Sequence, residues 1–237
     1  MRSGSSPATI ADRPVTALVK ICGLSTPEAL ETAVEAGADM VGFVRFPRSP
    51  RHIGLQRGRE LSAQARGRTR RVLLLVDPVD PELDVAVEAL DPDLIQLHGA
   101  ETPERIAEIR RRTGRPIMKA LAISRVDDLG RIASYQGSAD HILVDAKPPG
   151  AGALPGGNGV AFDWALLDGL DPRLDVMLSG GLDPANVAAA IGRTGVRAVD
   201  VSSGVEIRPG EKDPGQIRAF VEAARAAFAA HQDRNVP

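Results

Sequence analysis

The sequence predicts an α/β protein that folds as a single (β/α)₈ TIM barrel. Eight short apolar runs recur along the chain with helical patterns between them, and the length of 237 residues suits one barrel. Nearly continuous apolar character is typical of parallel strands that are buried on both faces. Hydrophobic residues make up 43% of the chain but aromatic residues only 3%, so we expect a core of Val, Ile, Leu and Ala.

The eight predicted strands are short and rich in β-branched residues. They are Ala17–Ile21, Met40–Val44, Val72–Val76, Leu94–Leu97, Ile117–Leu121, His141–Val144, Val176–Leu178 and Ala198–Val201. Strands that alternate with helices in this way favour a parallel barrel. An open doubly wound sheet is the alternative, but it usually has fewer strands and a glycine-rich turn after the first one, which this chain lacks.

The segments between the strands carry helix start signals. Residues 27–36 have apolar side chains at helical spacing, and Thr26 before Pro27 predicts an N-cap followed by proline at the first helical position. Thr102 repeats this signal. The last helix is predicted over residues 214–230, where the apolar residues form one stripe.

The chain divides into one domain with short flanks. We expect residues 1–16 to be a flexible N-terminal extension, residues 17–230 to form the barrel and residues 231–237 to be a C-terminal tail. The extension is small and polar without an apolar stretch, so it does not predict a secretory signal.

Two predicted connections at the carboxyl ends of strands are longer than the others. Residues 45–54 follow the second strand and residues 146–162 follow the sixth. Barrel enzymes keep their chemistry at this edge. The second segment is rich in Gly and Pro and predicts a mobile lid, with a surface insertion of no function as the alternative.

Charge and cysteine content narrow the class of partner. The net charge of −2 argues against a nucleic-acid or membrane surface, and no apolar run is long enough to cross a bilayer. The single cysteine, Cys22, excludes an internal disulfide framework and suits a reducing, cytoplasmic compartment. We expect a small-molecule ligand and a monomer or homodimer.

Small residues follow the last two predicted strands and predict a phosphate site. Gly180 and Gly181 follow the seventh strand, and Ser202, Ser203 and Gly204 follow the eighth. Phosphate in barrels commonly binds there, where backbone N–H groups must approach it closely. The chain has no Walker-type motif, which argues against a nucleoside triphosphate.

Four further residues at the carboxyl ends of strands are candidates for chemistry. Cys22 follows the first strand and Asp145 the sixth, while Arg51 and His98 lie after the second and fourth. Proton transfer without a cofactor needs a base and an acid. A thiol, whose ordinary pKa is near ~8.5, can supply the base, and a carboxyl in an apolar site can supply the acid. Each residue alone also has a structural explanation, as a buried thiol, a cap or a loop charge.

The sequence resembles phosphoribosylanthranilate isomerase of tryptophan biosynthesis. The motifs that carry the resemblance occur in one order along nearly the whole chain after the extension. They are Val19 to Leu24, Val41 to Val44, Ser49 to Arg51, Gln96 to Gly99, Leu143 to Lys147, Phe162 to Trp164, Ser179 to Leu182 and Asp200 to Glu206.

The resemblance implies an Amadori rearrangement of N-(5-phosphoribosyl)anthranilate that needs no cofactor and no metal. By this likeness Asp145 is the general acid that opens the ribose ring, and Cys22 is the base that removes the C2′ proton. Arg51 is the partner of the anthranilate carboxylate, a role that its planar fork suits. The glycines and serines after the last two strands form the phosphate cradle, and Asp200 and His98 are second-rank substrate-binding candidates.

Some positions depart from the family pattern. Arg45 stands where the family usually has an aromatic residue, and its role is unassigned. Asn158, Val160 and Ala161 replace polar or charged residues in the predicted lid. We therefore expect altered lid contacts, whereas Cys22 and the other candidates for chemistry match the family.

Three other functions compete with this interpretation. The related isomerases of histidine biosynthesis use an aspartate at the position of Cys22 and show two phosphate sites. Indole-glycerol-phosphate synthase needs a catalytic lysine, and neither Lys20 nor Lys119 has the context of that enzyme's motifs. A non-catalytic phosphate sensor would not need the acid and base.

Overall fold

A computed structural model describes residues 17–146, 163–170, 174 and 176–234 of the chain. Within these ranges eight parallel strands close into a barrel, and β8 pairs with β1, which confirms the predicted fold. The strands are β1 Leu18–Cys22, β2 Met40–Val44, β3 Arg70–Leu75, β4 Leu94–Leu97, β5 Ile117–Ile123, β6 His141–Ala146, β7 Val176–Leu178 and β8 Ala198–Val201. A two-stranded hairpin, β9 Glu206–Arg208 and β10 Glu211–Lys212, follows β8.

The helices that the structure describes lie between the strands and after the hairpin. They are α1 Pro27–Glu35, α2 Leu55–Ala65, α3 Asp80–Leu90, α4 Pro103–Thr113, α5 Gly130–Tyr135, α6 Val187–Thr194 and α7 Pro214–Arg234. Thr26 and Thr102 cap α1 and α4 by accepting the backbone N–H groups of Ala29 and Arg105, as predicted. Such caps stabilise a helix by about 1 kcal/mol.

Several predicted boundaries need correction. β1 includes Cys22 and β6 includes Asp145, although both residues were expected to follow their strands. Cys22 pairs with Gly42 and Asp145 with Ala122, because an inward polar side chain does not interrupt the backbone ladder. Helix α7 continues to Arg234, so the tail predicted from residue 231 begins inside it. The predicted extension (residues 1–16) and lid residues 147–162 lie outside the described residues.

Side chains alternate between the two faces of the barrel wall. Inward apolar residues fill the lower part of the barrel: Met40, Val72, Leu94, Met118, Ala120, Leu143, Met177 and Ala198. The opposite face of the strands packs against the helices in a larger cluster of Val, Ile, Leu and Ala. Methionine and Phe220 of α7 add to the predicted core composition. The inward positions nearer the strand ends are polar, so the functional residues stand on a packed floor.

Lys119 of β5 lies on the helix-facing side of the barrel wall. Its buried Nζ lies 2.6 Å from Glu101 Oε2 and donates to the carbonyl of Gly99 at 2.6 Å. Glu101 in turn accepts the backbone N–H groups of Asp77 and Gly99. Lys119 therefore holds the loops after β3 and β4, and it does not face the barrel mouth as a catalytic lysine would.

We expect Phe220→Ala to lower the free energy of unfolding by about 3–5 kcal/mol, because truncating a fully buried aromatic residue leaves a cavity. Urea denaturation measures this change. Val85→Ala, at a side chain that is 47% exposed on α3, is the control and should stay within about 0.5 kcal/mol. Equal effects of the two substitutions would contradict the assigned packing of α7.

Candidate active site

One cavity at the carboxyl ends of the strands collects most of the predicted site residues. Its walls include six of them: Cys22, Arg51, His98, Asp145, Asp200 and Ser202. The remaining four, Gly180, Gly181, Ser203 and Gly204, lie in the adjoining loops after β7 and β8. The six residues in the cavity walls come from five strands or the loops that follow them, and they face one space because the carboxyl ends of parallel barrel strands meet at one edge.

Cys22 ends β1 with its thiol inside the barrel mouth. Its neighbour in β2 is Gly42, where an added Cβ would lie 2.8 Å from the Cys22 sulfur, so the missing side chain makes room for the thiol. Burial raises the pKa of the thiol, and the positive charges of Lys20 and Lys212 oppose that effect. Ionisation of the thiol is therefore unfavourable, and Lys20 and Lys212 offset part of that cost.

A buried ion pair lies beneath the thiol. Lys20 Nζ lies 2.8 Å from Asp200 Oδ1, and Ser179 donates its hydroxyl to Asp200 Oδ2 at 3.3 Å. Burial alone lowers the pKa of Lys20, but the charges of Asp200 and Cys22 outweigh it and the pKa is raised. Lys20 stays an ammonium, and Asp200 serves first as its counter-ion.

Asp145 lies in β6, and it lines the same cavity as Cys22 of β1. Its Oδ1 accepts the backbone N–H of Ala146 at 2.8 Å, and its Oδ2 lies 3.3 Å from His98 Nε2. Gly180 in the loop after β7 has φ +89°, and an added Cβ would lie 2.5 Å from the Ala146 nitrogen and 2.9 Å from Asp145 Oδ1. Glycine is needed here because the β7 loop packs directly on this carboxyl.

Arg51 is held by a carboxylate from the hairpin after β8. Its Nε and Nη2 donate to the two oxygens of Glu206 at 2.7 and 2.8 Å. Lys212 lies 2.8 Å from the same carboxylate and also donates to the Ser202 carbonyl at 2.8 Å. Burial raises the pKa of Glu206, but Arg51 and Lys212 outweigh burial and the net pKa is lowered.

Burial lowers the pKa of Lys212 to about 8, although the charge of Glu206 acts in the opposite direction. This ammonium thus keeps its proton at neutral pH and loses it at mildly alkaline pH. Glu206 and Lys212 are functional candidates that sequence reasoning missed. Glu206 ends the motif Asp200 to Glu206, but the sequence indicated no role for it. Lys212 returns to the cavity only because β10 pairs with β9.

The loops after β7 and β8 pack closely against each other at the predicted phosphate site. An added Cβ at Gly204 would lie 1.9 Å from the Leu182 carbonyl, so only glycine lets the two loops meet. Ser202 donates its hydroxyl to the Cys22 carbonyl at 3.1 Å, which ties the β8 loop to β1. The backbone of Gly181 has φ +65°.

Arg45, whose role the sequence left unassigned, fastens the loop after β2. Its Nη1 donates to the Ile53 carbonyl at 2.6 Å and lies 3.3 Å from His52 Nε2. Burial and the charge of Arg45 lower the pKa of His52. Arg45 therefore supports the segment that carries Arg51. The other departures from the family pattern, Asn158, Val160 and Ala161, lie outside the described residues.

Residues 19–223 match the family model of N-(5′-phosphoribosyl)anthranilate (PRA) isomerase. The chain belongs to this family. An isomerase of this name from Azorhizobium caulinodans is 58% identical over 212 residues, which cover 90% of the chain and 93% of the relative. One from Rhizobium meliloti is 54% identical over 211 residues, covering 89% and 98%.

Solved structures of PRA isomerases share the fold. The enzyme from Thermotoga maritima superimposes with a TM-score of 0.80 at 35% identity, covering 89% of the chain and 100% of that structure. A PRA isomerase in complex with reduced 1-(o-carboxyphenylamino)-1-deoxyribulose 5-phosphate gives a TM-score of 0.77 at 34% identity with the same coverage. The family resemblance expected from the sequence motifs is therefore confirmed.

Metal-ion groups and membrane-spanning helices are both absent from the described part of the chain. Across its ranges, no three His, Cys, Asp or Glu residues are grouped so that they could hold a metal ion. None of its helices combines the length and apolar content needed to span a bilayer.

We expect the KM for N-(5-phosphoribosyl)anthranilate to rise about three- to tenfold between about pH 7 and pH 9. Over this range Lys212 loses its proton, and with it a positive charge beside the phosphate loops. The effect is moderate because solvent partly screens that charge. The substrate phosphate is already close to its dianionic form in this range, because its second pKa is near ~6. Steady-state kinetics as a function of pH measures the step. Lys212→Met should remove it, and a step that persists in this variant would show that another group is responsible.

Proposed function

We propose that the chain catalyses the Amadori rearrangement of N-(5-phosphoribosyl)anthranilate to 1-(2-carboxyphenylamino)-1-deoxyribulose 5-phosphate, a step of tryptophan biosynthesis, with Cys22 as base and Asp145 as acid. Membership of the PRA isomerase family supports the reaction. The observation that carries the residue roles is that the thiol and the carboxyl line one cavity, with Arg51 and the β8 loop on its walls.

Asp145 opens the ring. Its carboxyl gives a proton to the ribose ring oxygen as the C1′–O bond breaks, and the nitrogen lone pair forms the C1′=N⁺ bond of a Schiff base. The carboxyl of Asp145 is buried, with the residue 4% exposed, and it lines the cavity, which supports this role. The Schiff base withdraws electrons from C2′ and acidifies its hydrogen.

Cys22 then removes the C2′ proton. The C–H electron pair becomes a C1′=C2′ double bond, and the electrons of the C=N⁺ bond return to nitrogen. The enolamine becomes a ketone when C1′ gains a proton and the 2′-hydroxyl loses one. Solvent restores the thiolate and the carboxyl. The charges of Lys20 and Lys212 support a thiolate at this position, and no step transfers electrons to a cofactor.

Arg51 orients the anthranilate carboxylate. Glu206 holds the guanidinium through Nε and Nη2, so the plane of the fork is defined before the substrate binds. A guanidinium that is already oriented loses less conformational entropy on binding. His98 and Asp200 also line the cavity. Their main contacts are with the protein, since His98 contacts Asp145 and Asp200 pairs with Lys20.

The phosphate binds at the loops after β7 and β8, through the backbone of Gly180, Gly181 and Gly204 and the residues Ser202 and Ser203. Two neighbouring loops with small residues, at positive φ or in close mutual contact, support this assignment. Lys212 adds a positive charge behind Ser202. The site thus complements a sugar phosphate that carries a second anion at its other end.

The proposed compartment rests on the cysteine content, and the proposed assembly rests on one relative. A buried free thiol suits a reducing compartment, which supports a cytoplasmic enzyme. The isomerase of Thermotoga maritima is dimeric, so we propose a monomer or a homodimer for this chain. The partner is a small sugar phosphate, and neither a nucleic acid nor a membrane is implied.

Cys22→Ser and Asp145→Asn should each lower kcat about 10²- to 10⁴-fold, the contribution typical of one acid or base. KM should stay within about threefold, because neither change removes the phosphate or carboxylate contacts. The fluorescence of phosphoribosylanthranilate follows its turnover, and thermal unfolding verifies that the variants fold. The corresponding aminosugar phosphate of histidine biosynthesis is the comparator substrate. Turnover that survives both changes would refute the assigned roles.

A further inference from the structure

A row of three side chains connects β4 to the carboxyl of Asp145. Gln96 and His98 are two residues apart and both face the interior of the barrel. Gln96 Nε2 lies 3.3 Å from His98 Nδ1, and His98 Nε2 lies 3.3 Å from Asp145 Oδ2. Gln96 is fully buried, and its amide nitrogen contacts this imidazole.

The amide orientation of Gln96 decides which nitrogen of His98 carries hydrogen. With Nε2 of Gln96 as donor, Nδ1 of His98 must offer a lone pair, and His98 Nε2–H donates to Asp145. Asp145 also accepts the Ala146 N–H at its other oxygen. Two donors stabilise the carboxylate form, so this arrangement describes Asp145 without the proton that ring opening needs.

The opposite orientation allows Asp145 to hold its proton. Gln96 Oε1 is buried and has no hydrogen-bond partner among the described residues. Turning the amide by 180° brings Oε1 to the place of Nε2, within reach of His98 Nδ1, and needs no extra room because the two ends have nearly the same shape. Nδ1 then carries hydrogen, and Nε2 can share a second proton with Asp145 Oδ2.

We propose that Gln96 is a positioning residue whose Oε1 accepts the Nδ1–H of His98 in the active enzyme and thereby keeps one proton between His98 Nε2 and Asp145 Oδ2. This inference rests on the proposed role of Asp145 as the acid. The shared proton goes to the ring oxygen when the C1′–O bond breaks, and solvent returns one proton to the pair. The arrangement with the amide nitrogen as donor is the inactive form at high pH.

Other charged or titratable groups face the His98–Asp145 pair. Cys22 of β1, Arg51 after β2 and Asp200 of β8 line the same cavity. Arg48 after β2, Asp77 after β3 and Arg131 of α5 line a second cavity that also includes His98 and Asp145. Behind the loop that follows His98, Glu101 pairs with Lys119. Substitution of Gln96 leaves all these residues in place, so a change in the titration of the pair reports on the amide.

The wild-type enzyme tests the tautomer directly. The chain has four histidines, and comparison with His98→Asn assigns the ¹⁵N resonances of His98. We expect hydrogen on Nδ1 throughout the neutral pH range. A neutral His98 with hydrogen on Nε2 alone in that range would overturn the proposal. This measurement needs no turnover and no substitution of Gln96.

Two substitutions of Gln96 should move the alkaline limb of the kcat–pH profile in opposite directions. Gln96→Met removes the acceptor and should shift the limb about one pH unit lower, and Gln96→Glu supplies a permanent acceptor and should shift it about one unit higher. KM should change less than about threefold in both. A merely structural role would lower kcat in both variants without moving the limb, and this result would overturn the proposal.

Two controls separate the amide from other effects. Gln56→Met makes the same change at an exposed site on α2 and should leave the profile unchanged. In a His98→Asn background, Gln96→Met should cause no further shift, because the residue through which it acts is gone. A further shift in that background would contradict the proposal.

Wild-type protein that does not turn over phosphoribosylanthranilate would refute the proposed function, while the His98 tautomer would still decide the role of Gln96.

Discussion

The alternation of side chains along eight parallel strands is the constraint on which the site depends. Every second residue of a strand faces the barrel interior, and the ladder from β1 to β8 brings these residues to common heights. Lys20 and Cys22 therefore lie one above the other on β1. A register shift of one residue would exchange the inward and outward sets, so the barrel core and the active site are specified by the same pattern.

Buried charge in the barrel mouth is paired nearly throughout. Lys20 pairs with Asp200, and Glu206 pairs with both Arg51 and Lys212. Pairs of this kind contribute little net stability, because desolvation offsets the attraction between the charges. They do fix the positions of the charges before substrate arrives. This arrangement favours catalysis, since donors that are already oriented need no reorganisation when charge develops.

Local patterns in the sequence predicted most of the fold and many of the residues that line the site, but not the contacts between those residues. The strands, the capped helices and the inward position of Cys22 and Asp145 follow from short apolar runs and from what comes at their ends. Glu206 and Lys212 were missed because their positions depend on a hairpin that folds back from β8. Gln96 left a usable signal, since its spacing of two from His98 places both on one face. Lys20 shows the same spacing from Cys22.

The thiol and the carboxyl have different neighbours in the cavity. Cys22 is near Lys20 and Lys212, whose positive charges favour the ionised thiol. Asp145 faces His98 and, behind it, the neutral amide of Gln96, which can accept hydrogen without competing for charge. The thiol thus has cations beside it, whereas the carboxyl has an imidazole and an amide. The division of roles between thiol and carboxyl therefore follows from their neighbours as much as from their own chemistry.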